Sequence, residues 1–361
     1  MTPDFLQWAR ANRSRALVAN ALLEPRYPNE GIGAAFVIRA CLYFEKAFDA
    51  VVREALAQTF DEFVVSMGDE KLTYMWHNGK AARPMSKVKS LQAVASGLGP
   101  EDRFDFDFMS GERPEDAGLW EFHVGGIRRW QEKLDNRGFN ALSFSWPVFA
   151  VQERPNSFAR LFFDAASRLK AAHGHAGVAV NLSPTGREEN EATEYWASQR
   201  MPGLDVGFPG DLSVRQLKGQ LKTVDWLTAI SKPMLDAVGG LVGLRSHLPP
   251  GWFSIGDYGH GVVIRAGALP ESGISSDEKK PPVNPPAYVI LDAALRSIRA
   301  TEMDILQRGT VNGDAPVYNT RSSTAAWLRR FETDENGLLA TKAALLDTPP
   351  LQPSNVLPNP L

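Results

Sequence analysis

Residues 33–44 read GAAFVIRACLYF, and this stretch decides the fold. After its glycine it is almost continuously apolar and rich in branched and aromatic side chains, the composition of a strand covered on both faces. It predicts a central strand. Directly behind it Phe48, Val52, Ala55, Leu56, Phe60 and Phe63 recur at helical spacing, and Gly68 stands where a glycine commonly ends a helix. A strand followed by a helix packed on it is thus the first unit of the chain. Residues 72–77 form a short strand candidate. Residues 103–108 alternate Phe104, Phe106 and Phe108 with Arg103, Asp105 and Asp107, which predicts a strand with one wet face.

The middle of the chain repeats this order. Residues 141–151 read as a strand, Phe158, Leu161, Phe162, Ala165 and Leu169 share one helical face, and residues 177–182 return as a strand. Such an order suits a right-handed crossover between parallel strands and equally an antiparallel arrangement. The expected fold class is α/β or α+β: a mixed β-sheet with packed helices, open to a reading as two similar β-α-β halves. Those halves span about 31–135 and 140–345 within a single globular domain, 1–345. The halves agree in element order only, with no sequence repeat that would build a solenoid. Residues 272–286 and the tail 346–361 are Pro-rich and read as loops, the first an insertion ahead of a helix carrying Tyr288, Leu291, Leu295 and Ile298. The tail is expected to wrap the surface or stay disordered, so that removing residues 353–361 leaves folding nearly intact.

With 361 residues, 43% of them hydrophobic and 22% charged, the chain has the material for a sizeable core. A formal net charge of −3 leaves no basic excess to neutralise phosphates, so direct nucleic-acid binding is not expected. One cysteine, Cys41, allows no internal disulfide, and residues 1–20 interrupt short apolar stretches with Asp4, Arg10, Arg13 and Arg15. The expectation is a cytoplasmic protein that neither crosses nor anchors to a membrane.

Signs of catalytic chemistry are weak. His173 and His175 in HGH are metal-capable, but they follow an apolar helical face ending at Leu169, where histidines complement the helix dipole and Gly174 and Gly177 serve a turn. Asp105 and Asp107 point the same way on a strand, with Arg103 as a counter-charge. Asp257 and His260 in GDYGHG sit in a hairpin turn whose glycines supply positive φ. Residues 31–33 lack the third glycine of a dinucleotide loop, and no phosphate loop or nucleophile elbow is present. No catalytic residue, metal ligand or cofactor is assigned. The competing reading is a metal-dependent hydrolase built from His173, His175, Asp105 and Asp107.

From Tyr195 onward the sequence is more specific: YWASQRMPGLDVGFP, LKTVDWLTAISKPMLDAVGG, VIRAGALPESG and PPAYVILDAALRSIRA follow one another. Trp226, Leu227, Pro233, Leu235, Gly239 and Gly240, then Ile264, Gly267, Pro270, Tyr288 and the AWLRRF of residues 326–331, stand in an order that resembles the type VI secretion immunity family for VRR nucleases. The resemblance runs from about residue 31 to 331. These positions also have plain structural readings: Pro233 starts a helix, Gly239 ends it, and Trp226 and Leu227 fill a core. What the resemblance implies is a non-enzymatic immunity protein whose partner is a cognate type VI effector toxin of the PD-(D/E)xK or VRR nuclease type. It carries over no catalytic residues. An effector-loading chaperone is a further reading, which requires binding without inhibition.

For the toxin contact, Glu188, Glu189, Glu191 and Glu194 form an acidic stretch beside Tyr195 and Trp196, read as a loop that occupies a basic DNA channel in place of phosphates. A solvated charged loop is the plainer reading of the same residues. The turn with Asp257 and His260 is the second candidate contact.

Overall fold

The computed structural model describes residues 17–18, 31–134, 138–274, 281–309 and 316–361. Among these, eleven strands form one sheet. In chain order they are β1 (Leu17–Val18), β2 (Ala34–Phe44), β3 (Tyr74–His77), β4 (Arg83–Pro84), β5 (Asp105–Met109) and β6 (Glu121–Gly125). Then come β7 (Asn140–Pro147), β8 (His173–Leu182), β9 (Leu227–Ser231), β10 (Phe253–Asp257) and β11 (Gly261–Ala266). Across the sheet the order is β10-β11-β9-β8-β2-β7-β6-β5-β3-β4, with β1 pairing the start of β2. The main helices are α1 (Ala50–Ser66), α2 (Pro155–Leu169), α3 (Arg187–Ser198), α4 (Gly240–His247), α5 (Pro286–Ala294), α6 (Arg321–Leu328) and α7 (Glu335–Leu346).

The expected combination of sheet and packed helices is present, and of the two strand arrangements left open the chain takes the antiparallel one at every pairing. Strand β2 lies at the centre, between β7 and β8, and its eleven residues are all buried, as GAAFVIRACLYF demands. Strands from 31–135 and from 140–345 therefore share one sheet, with β2 of the first set seated between β8 and β7 of the second.

Side chains alternate across a strand, so β2 sends Phe36, Ile38, Leu42 and Phe44 to one face and Arg39, Cys41 and Tyr43 to the other. The first face carries a cross-strand row of Phe108, Phe122, Phe144 and Ala40. Helices α1 and α2 cover it: Phe60 stacks 4.4 Å from Phe108, Phe63 lies 5.4 Å from Phe122, and Phe158 lies 5.5 Å from Phe144. Rings at these separations add edge and offset attractions to the burial of large apolar surfaces. This is the main core, and its aromatic spacing was readable from residues 103–108 and 158–169.

Four expectations are corrected. The helix before HGH ends at Leu169, with Lys170 left-handed at φ 50°, so the turn precedes His173 and the whole HGH lies inside β8. Gly177 serves close approach, not a turn: a side chain there would overlap the Asp225 carboxylate at 1.7 Å. Strand β7 stops at Pro147, and residues 148–153 form a short helix in place of more strand. Trp226 fills the core as expected, just ahead of β9, and Pro233 stands in the first turn of the helix that follows. Of the helix expected to carry Tyr288 through Ile298, α5 ends at Ala294 and Ile298 sits in a separate 3₁₀ turn.

The Pro-rich tail wraps the surface, one of the two arrangements expected of it, and is docked along the sheet edge. Pro360 bridges Gly256 in antiparallel fashion, the Asp257 amide donates to the Asn359 carbonyl at 3.0 Å, and the Leu361 amide donates to the Ile255 carbonyl at 3.0 Å. Leu357 is buried, and its amide donates to Ser254 Oγ at 2.9 Å. The tail thus covers the otherwise unpaired edge of β10, which sheet proteins commonly protect. Part of the 272–286 loop, residues 275–280, lies outside the described residues.

Candidate functional site

The face of the sheet opposite α1 and α2 is polar. One row across the strands reads Asp107, His123, Ser143, Cys41, His175 and Thr228, each paired with the next. The row beside it reads Glu121, Ser145, Arg39 and Gly177. These positions alternate with the aromatic row, so the same strands that build the apolar core deliver a band of polar groups to the other side. Helix α3 and the loop after it roof that band.

Toward the middle of the sheet the band is closed by ion pairs. Asp205 takes Arg39 Nη2 at 2.9 Å and His175 Nε2 at 3.3 Å on Oδ2, and Lys222 Nζ at 2.5 Å on Oδ1. All four residues are buried. Burial alone would raise the Asp205 pKa, but Lys222, His175 and Arg39 outweigh it and hold the carboxyl well below its usual range. Arg39 also donates to the carbonyls of Val180 and Gly207 at 3.0 Å each, and Lys222 to the Val206 carbonyl at 2.9 Å. Glu194, one layer out, accepts the Gly207 amide at 3.0 Å and the Gln307 amide group at 2.6 Å.

Donor atoms of Cys41, His175 and Asp205 lie within 4.8 Å of one another. Two buried cations already occupy both oxygens of Asp205, and burial pushes the Cys41 thiol up to about 12, so no thiolate is on hand at neutral pH. Burial lowers the His173 pKa to about 3, with His175 adding to the effect, and the ring packs 4.7 Å from Tyr43 and 5.5 Å from Phe139. His173 and His175 are thus neutral interior side chains.

Toward β5 the band opens into a cavity of about 40 Å³. Asp107, Glu121, His123, Ser143, Ser145, Arg39 and Asn181 line its floor, and Arg187, Glu191, Glu194 and Phe208 its roof. His123 Nδ1 lies 2.6 Å from Asp107 Oδ1. Burial works against charge on His123, but Asp107 outweighs it and raises the pKa, while the same partnership lowers that of Asp107. Burial pushes the Glu121 carboxyl up to about 7. The Arg187 guanidinium lies 3.5 Å from the centre of the Phe208 ring, forming a lip of the opening.

The four residues of the competing hydrolase reading do not meet. His175 and Asp107 stand in the same cross-strand row, with β2, β7 and β6 between their strands. Four interstrand steps put them roughly 19 Å apart. Asp105 pairs instead with Arg103, as its face predicted.

The acidic stretch is corrected from loop to helix: α3 runs Arg187–Ser198. Its buried stripe contains Glu191 and Glu194, and Glu191 accepts the amides of Arg308 at 2.7 Å and Gly309 at 2.5 Å. Glu188 and Glu189 are exposed, Tyr195 is half-buried, and Trp196 is exposed with the Arg200 guanidinium 3.9 Å from its ring. Asp257 and His260 are both exposed in the β10–β11 turn, where Asp257 Oδ1 accepts the Gly259 amide at 2.6 Å and Gly259 has φ 92°. That hairpin lies beyond β9 from β8, so the two candidate contacts occupy different parts of the molecule. Asp205, Lys222 and the His123–Asp107 pair escaped sequence reading. The one available signal was Arg39, a charge standing in an apolar strand.

A family model described as type VI immunity for VRR-NUC matches residues 55–331. The Pseudomonas aeruginosa T6SS protein PA0821 superimposes with a TM-score of 0.87 at 34% sequence identity, over 96% of this chain and 95% of that one. No curated protein matches the chain. The order of residues from Trp226 to Phe331, the match over most of the chain and the shared fold agree, and the chain belongs to the family of type VI immunity proteins for VRR-type nucleases.

Proposed function

We propose that this chain binds a cognate VRR-type nuclease effector in the cytoplasm and neutralises it by covering its active site or DNA channel, with no chemical step of its own. Family membership carries this reading. The arrangement of ionisable groups supports it: Asp205 is held by Arg39 and Lys222 in the interior beside a neutral His175, and the hydrolase residues are separated across the sheet. No helix among the described residues is long and apolar enough to cross a membrane.

For the contact we favour the outer stripe of α3. Glu189 and Trp196 are seven residues apart, two helical turns, and so share a face, as do Glu188 and Tyr195. Exposed carboxylates beside aromatic rings are suited to a basic DNA channel, the charges steering encounter and the rings anchoring it. The turn with Asp257 and His260 is the alternative contact. Co-expression with the effector tests the function: rescue of growth and a stable complex are expected, while equal killing with both proteins soluble would contradict it. A complex that leaves the nuclease active would point to an effector-loading chaperone.

A further inference from the structure

The cavity beneath α3 gathers more ionisable groups than pair with one another. Four carboxylates, Asp107, Glu121, Glu191 and Glu194, face it together with two guanidinium groups, Arg39 and Arg187, and Arg39 is committed to Asp205. His123 is nine-tenths buried on the cavity floor and its Nε2 finds no partner. Nδ1 sits against Asp107, so when the ring is neutral that nitrogen carries its proton and Nε2 presents a lone pair. A buried acceptor without a donor, in a space lined by four carboxyl groups, is complementary to a cation that carries N–H groups.

We propose that this cavity is a socket for a basic side chain, an arginine or lysine, of the protein partner; the inference rests on the reading that the chain binds a nuclease effector. Its 40 Å³ holds roughly three waters or the tip of one guanidinium group. A nuclease must expose basic groups to hold phosphates, so its DNA-binding surface offers such side chains. Arg187, stacked on Phe208, forms the lip of the opening.

Charge coupling gives the socket a signature. His123 is surrounded by Asp105 and Asp107 from β5, Arg187, Glu191 and Glu194 from α3, Arg39 from β2 and Glu121 from its own strand. A cation at Nε2 requires the neutral ring and an ionised Glu121, so entry expels the proton that Asp107 favours on His123 and the one that burial holds on Glu121 up to about 7. Occupancy therefore tightens as pH rises.

The test uses the full chain and N-acetylarginine amide as probe, following the ring nitrogens of His123 by NMR. The account expects saturable shifts at His123, affinity rising roughly tenfold from pH 6 to pH 8, and no response to the uncharged isostere N-acetylcitrulline amide. Glu121→Gln should flatten the pH dependence. An equal response to citrulline, or none at His123 with arginine at pH 8, overturns the proposal. Since His123→Gln risks the local fold, the comparison of the two probes on the unaltered chain decides. Protection of cells that persists without these shifts would sink the socket and leave immunity standing, whereas failure to bind the effector at any pH would sink immunity itself.

Discussion

Asp205 shows how much of this fold depends on single buried charges. Removing its carboxylate in Asp205→Ala leaves Arg39 and Lys222 buried without a counter-charge. Breaking one side of a buried pair costs about 3–5 kcal/mol, so chemical denaturation should show a loss of that order. Trp226→Ala should cost about 3–5 kcal/mol as well, because the fully buried ring packs against Phe158 and its Nε1 donates to the Gly267 carbonyl. Asp225 works in the opposite sense: burial, reinforced by the charge of Asp205, raises its pKa to about 8 from an ordinary value of 3.8. The folded state then holds a proton that the unfolded chain has released, so this group's contribution is complete below 3.8 and is lost as pH rises toward about 8. Asp225→Asn should therefore gain stability over the unaltered protein progressively between those limits, and parallel pH-stability curves would contradict this. Sequence displayed Arg39 as a charge inside an apolar strand but concealed its partner. Asp205 lies 166 positions away in an irregular segment, where no periodicity marks a residue as buried.

At the scale of elements, legibility followed the hydrophobic pattern. Strand β2, α1 and α2 were evident because their buried stripes are apolar. Helix α3 was not, because its buried stripe carries Asn190, Glu191, Thr193, Glu194 and Ser198, and polar residues at helical spacing resemble a solvated loop. Its two kinds of glutamate can be separated experimentally. Glu194→Ala strands the Gly207 amide and the Gln307 side chain, at a cost of about 1–3 kcal/mol for each donor left unpaired. Glu188→Gln with Glu189→Gln should leave the melting temperature unchanged, slow association with the effector and weaken its salt dependence. The tail obeys a similar rule, since its prolines concealed the apolar Leu357 and the main-chain bonds that dock it. Removing residues 353–361 deletes that burial and exposes the edge of β10. A loss of about 3 kcal/mol and concentration-dependent self-association are expected in thermal melts and sedimentation.

For the whole molecule, one sheet presents two chemistries. Helices cover its aromatic face, while the polar face holds a buried ion-pair cluster at the centre and an open, acid-rich cavity toward β5. Strand order was beyond sequence reading because β-α-β order fits both parallel and antiparallel ladders, and only pairing over long separations, such as β2 with β8, resolves it. Function was legible through family order alone, since the core residues that mark the family are not the exposed residues that would meet a toxin. Immunity by direct blockade is the central claim, and DNA cleavage by the purified cognate VRR-type nuclease, titrated with this protein, tests it most directly. The account predicts that cleavage falls in proportion to added protein and stops at one-to-one stoichiometry, with no change in the DNA caused by the protein alone; full nuclease activity in the presence of a saturating complex would contradict it.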